Sequence, residues 1–173
     1  MKKKMFVYAV LVSVVTLFSF TGLYAENKLN AEVGAKLEVF SQYLLEHNTP
    51  TGVDCKEGFY PLIEAMVLML PQAGYSTEFN DKITKANELF KKNGIFERQG
   101  IELLHQAYRS INNGKDFEIP GDLKEISDAV EYGKKWVNLS RECLKQGKTG
   151  DAVRHLLDVA IMVVTPMEKV EKR

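Results

Sequence analysis

Three histidines, two cysteines and one tryptophan hold most of the chemical potential of this 173-residue chain. His155 stands next to Leu156, at the edge of an apolar stripe. One reading makes it a metal or haem ligand between helices, with Met162 or Met167 as second ligand. The other makes it a boundary imidazole whose nitrogens meet water or backbone. His105 follows Glu102 by three residues and precedes Arg109 by four, so the three share one helical face. That face is either a ligand or proton site or a solvated surface with local pairing. His47 falls at a helix C-terminus, where a cation complements the dipole. Met66 and Met69 sit in an apolar run and read as core.

Several chemistries lack a signature. The sequence contains no HExxH, HxH or Cys/His cluster, no GxSxG, no Walker-type loop and no GxGxxG. CxxC and CxxCH are also absent, which removes thioredoxin-type redox work and covalent c-type haem. A nucleophile needs a base that a third group orients, and no such set is legible. The expectation is therefore a non-enzymatic protein without a cofactor. The alternative is a transition-metal or haem site at His155 and His105. Asn138-Leu139-Ser140 matches a glycosylation sequon but lies inside an expected helix, so it reads as coincidence.

The first 25 residues read as an address. Lys2, Lys3 and Lys4 form a positive start, Phe6–Phe20 is largely apolar, and Thr21–Ala25 ends on a small residue. An export signal over 1–25 is expected, followed by one domain over 26–173. The rival is an uncleaved anchor, since the stretch from Met5 to Tyr24 nears the length of a membrane span. Either way the domain is periplasmic or secreted, and membrane contact is confined to that segment. Cys55 and Cys143 would then face an oxidising compartment, where an even pair favours a disulfide. Two separately buried thiols are the alternative.

Charge narrows the partners. Lys and Arg total 23, as do Asp and Glu; without the three signal lysines, 20 basic residues face 23 acidic ones, a net of −3. No basic face for nucleic acid follows. A protein or small ligand, not identifiable from the sequence, is the expected partner.

These residues must be positioned by helices. Val33, Leu37, Phe40 and Leu44 recur at helical spacing over about 28–47. A second helix precedes Pro71 and Gly74, with Asp54 and Glu57 a candidate capping box and Pro61 marking its first turn or a kink. Its run Leu62–Leu70 is apolar almost all round and suggests the most buried helix. Ser76 or Thr77 caps a third, with Phe79, Ile83, Ala86 and Phe90 inward. A fourth spans about 96–112. Asp122 with Glu125 opens a long fifth helix to Gln146, closed by Gly147. The last helix starts at Thr149 or Gly150 and ends or bends at Pro166. The fold class is all-α, an antiparallel helical bundle of five to six helices. In the last hairpin Trp136, 11 residues before Gly147, is expected to pack near Ile161; the rival reading exposes it as an interaction aromatic.

Two resemblances lie in that hairpin. Ala129-Val130-Glu131-Tyr132-Gly133-Lys134 and Gly147–Leu156 resemble repeats of small periplasmic metal-binding helical bundles of the small metal-binding-protein type. The resemblance implies an exported bundle with short glycine turns. Its metal-binding implication falls on His155 alone, because Tyr132 stands where a histidine is expected. Trp136, Leu139, Gly147 and Ala152 also match the tryptophan, leucine, glycine and helix-B alanine of one tetratricopeptide repeat, which implies an adaptor. Ser140 there replaces the usual glycine, and Pro166 comes two residues late.

Overall fold

A computed structural model of the chain describes residues 28–44, 56–95, 97–118 and 126–171, the last few of α6 by backbone alone. It is an all-α helical bundle. The helices are α1 (28–44), α2 (Lys56–Ala73), α3 (Thr77–Asn93), α4 (Arg98–Ile111), α5 (Ile126–Lys145) and α6 (Thr149–Glu171). The expected signal segment 1–25, His47, Cys55 and both candidate capping boxes fall wholly or partly outside the described residues. Among the described residues no helix is long and apolar enough to cross a membrane.

Local chemistry sets the boundaries. Ser76 caps α3 by accepting from the Phe79 N–H at 3.2 Å. Glu97 caps α4 by accepting from the Gln99 N–H at 3.1 Å. Gly147 closes α5 at φ 70°, where a side chain would be strained. Three prolines lie within helices. Pro61 lies inside α2 and does not open it, because the helix already begins at Lys56. Pro71 lies in the last turn, and the helix continues to Ala73. Likewise α6 runs past Pro166 to Glu171.

The core gathers around α6, which packs on α5, α2 and α4. Ala152, Val153, Leu156, Leu157 and the whole run Val159–Val164 are buried. This corrects the expectation for α2. Its Leu62, Ile63, Ala65, Met66, Met69 and Leu70 are buried, yet Val67 and Leu68 are only partly covered. Apolarity all round buries a helix only as far as its neighbours cover it, and one side of α2 is left partly covered. Met66, Met69 and Met162 are core side chains. The stripe of α1 (Val33, Leu37, Phe40, Leu44) is buried as the spacing predicts. Lys36 of α1 reaches Glu64 of α2, and Glu38 accepts from Arg141 of α5 at 2.8 Å, so α1 bridges those two helices.

The start of α6 is pressed against the end of α2. A Cβ on Gly150 would stand 2.6 Å from the Ala73 carbonyl oxygen, and the Tyr75 hydroxyl donates to the Gly150 carbonyl at 2.9 Å. Backbone cannot swing aside as a side chain does. Gly150→Ala should therefore cost roughly 1–3 kcal/mol, read as a lower urea midpoint with unchanged slope. An unchanged midpoint would show that the α2–α6 junction gives way freely.

Candidate functional site

The α5–α6 hairpin explains where Trp136 goes. Only residues 146–148 separate the helices, so the chain turns back almost at once. Buried Ser140 donates to the Ala152 carbonyl at 2.6 Å. One turn before Ser140, Trp136 meets His155, with ring centroids 4.7 Å apart and planes at 35°. The spacing predicts Ile161 and its neighbours Val159–Val164 opposite Trp136; the ring stands beside His155, and Val159–Val164 are buried in the core. Tyr132 packs edge-on to Trp136, and the Lys135 ammonium stands 5.8 Å from its ring centre. Trp136 and His155 are each part-buried; the indole Nε1 and the His155 Nδ1 are enclosed without a hydrogen-bond partner.

Burial holds His155 below the ordinary histidine range, Asp151 opposing and Arg154 adding to the effect. The imidazole is thus neutral at neutral pH. A protonated imidazole stacked on an indole quenches its emission. Trp136 fluorescence should fall only below the usual histidine range near pH 6.5, and His155→Leu should abolish that fall. A fall that persists in the variant would separate the two rings in solution.

The other expected site residues lie on α4, on α5 or outside the described residues. His105 is half-buried on α4 with its Nε2 enclosed. His105 stands on α4 and His155 on α6. On the Glu102/His105/Arg109 face, Arg109 pairs with Glu102 at 2.6 Å and with Asp116 at 2.7 Å. Cys143 is a free thiol, partly buried, and Cys55 lies outside the described residues. Burial, with Asp151 next, pushes the Cys143 thiol up, which makes it a poor nucleophile. Asp151 is within electrostatic reach of both Cys143 and His155. Even so, among the described residues no group of three or more His, Cys, Asp and Glu side chains is arranged to hold a metal ion.

A different place gathers polar groups around space. The end of α4, the following loop and Arg154 of α6 border an open cleft of about 920 Å³. Tyr108, Asn112, Lys115, Asp116, Glu118 and Arg154 line it. The loop is held in shape. Asn113 and Gly114 both adopt positive φ, 55° and 78°, a region asparagine tolerates better than most residues. The Gly114 N–H donates to the Arg109 carbonyl at 2.9 Å. Phe117 packs edge-on to Tyr108, and Arg109 grips Asp116. Arg154 of α6 donates to the Asn112 side-chain carbonyl at 3.0 Å, which joins the loop to α6.

Asp158 follows Arg154 by one turn of α6 and is half-buried. Spacing of i, i+4 permits an ion pair, yet Arg154 is turned to Asn112 and none of the described residues donates a hydrogen bond to Asp158. Burial pushes its carboxyl up to about 6, with Arg154 only partly opposing. Tyr75 and Tyr108 both feel its charge, and burial chiefly raises both hydroxyls. The Tyr108 hydroxyl also feels Arg154 and Glu118. Asp158, Tyr75 and Tyr108 come from α6, the α2–α3 connection and α4. No local spacing could have brought them together; the one available sign was an acid set among the apolar residues of the last helix. Compared with known proteins, the chain matches no family model, no curated protein and no solved structure.

Proposed function

We propose that this is an exported, non-enzymatic binding protein that holds a small polar ligand in the cleft between the 112–118 loop and α6. The carrying observation is the cleft itself, about 920 Å³ of space walled by Tyr108, Arg154 and a loop held in shape. That size suits a small molecule. Export is supported by Lys2–Lys4 and the apolar run after them.

Native mass spectrometry of the protein recovered from its own compartment tests this. The expected spectrum shows a chain beginning at Glu26 and a bound small molecule. Arg154→Gln should lose that molecule while keeping its helical circular dichroism. Bare protein in both samples would count against the cleft as the site.

A further inference from the structure

The lining of the cleft is balanced in charge and mixed in hydrogen bonding. Lys115 and Arg154 stand against Asp116 and Glu118, so a charged ligand meets a repelling side chain for each attracting one. All four are exposed, where ion pairs contribute little. Asp116 is engaged by Arg109 at 2.7 Å, and Arg154 spends one donor on Asn112. Other groups of the lining are unspent among the described residues. The rest of the Arg154 guanidinium and the Lys115 ammonium only donate, and the Glu118 carboxylate only accepts. The Tyr108 hydroxyl and the Asn113 amide do both. Their frame is fixed, since the Lys115 N–H donates to the Asn112 carbonyl at 3.1 Å and the Gly114 N–H to the Arg109 carbonyl at 2.9 Å. Donors and acceptors held ready in this way need little ordering when a ligand arrives.

We propose that the cleft takes an uncharged polyhydroxylated molecule of the small-saccharide class, its hydroxyls donating to Glu118 and accepting from Arg154 and Lys115. The inference rests on the cleft being the binding site and adds the class of ligand. A hydroxyl donates one hydrogen bond and accepts two, so neighbouring hydroxyls on one ring serve unlike partners at once. A lone carboxylate leaves Glu118 unserved, and a lone ammonium leaves Arg154 and Lys115 unserved. Ile111, also in the lining, offers an apolar side to the ring carbons.

Isothermal titration of the protein recovered from its own compartment decides the matter, with glucose, galactose, N-acetylglucosamine, free L-amino acids, succinate and putrescine as probes. At least one sugar should bind, with an affinity that holds as salt is raised, because no ion pair is formed to be screened. Glu118→Gln keeps an accepting oxygen and should stay within about threefold of the parent, whereas Glu118→Leu should weaken binding about fivefold or more. Glu118 is exposed on the loop, so both variants should keep the helical circular dichroism of the parent. Binding of an amino acid, succinate or putrescine in place of every sugar would overturn the saccharide class and leave the cleft reading standing. A Glu118→Gln variant as weak as Glu118→Leu would do the same, since charge would then be what the site reads. Sugar binding indifferent to both Glu118→Leu and Arg154→Gln would overturn the proposal, as would no binding by any probe. In that last case the native mass spectrum judges the cleft separately.

Discussion

Leu156→Asp is expected to leave no cooperative thermal transition at neutral pH. Leu156 is fully buried in the helix on which α2, α4 and α5 all pack. An ionised carboxylate there has no described cation to meet and no water to stay in, and burying it costs several kcal/mol. A domain of this size has about 5–15 kcal/mol in all. Leu68→Asp, on the partly covered side of α2, should lower the midpoint and keep the transition. Glu88→Gln, exposed on α3, should behave as the parent. Thermal circular dichroism of the three variants ranks them. A Leu156→Asp midpoint equal to that of Leu68→Asp would show that α6 is not the centre of the core.

Asp158→Asn should stabilise the protein, and only above acidic pH. The folded carboxyl titrates at about 6, against an ordinary value of 3.8. Below the ordinary value both states hold the proton and nothing is lost. Between the two values the unfolded chain releases its proton while the folded chain keeps it, so stability falls as pH rises. Above about 6 the full loss is in place, about 3 kcal/mol. Asparagine never ionises and escapes that loss. Urea midpoints of parent and variant should coincide near about pH 3.5 and diverge by neutral pH. Taking the difference between the two proteins removes the contribution of Glu64, whose carboxyl Lys36 and Lys91 hold low and whose stabilisation fades in acid. A variant no more stable than the parent at neutral pH would mean that the Asp158 carboxyl is solvated or paired.

Periodicity made most of the helices legible. Phe79, Ile83, Ala86 and Phe90 of α3, and Val130, Val137, Ser140 and Leu144 of α5, recur at helical spacing and are buried. Ser76 and Gly147 mark boundaries by chemistry local to a few residues. What sequence hid was tertiary. Arg154 and Asp158 interrupt the apolar pattern of α6 and make it look less central than α2, although Arg154 is turned to Asn112 at the cleft. The partner of Trp136 depended on how sharply the chain turns at 146–148, which spacing alone leaves open. The cleft needed residues from three elements to meet. The histidines drew attention because their chemistry is conspicuous; the acid that stands out in the structure does so through what surrounds it.

The central position of α6 also bears on how the chain comes into being. Translation delivers α1 to α5 first, and until residues beyond Thr149 leave the ribosome those helices lack the surface on which three of them pack. The α3–α4 hairpin is local and can form early. The apolar faces of α2 and α5 stay open meanwhile, an invitation to chaperones or to aggregation. Cooperative folding is thereby deferred to the end of synthesis, and a ribosome stalled before α6 would hold a chain with helices but no core.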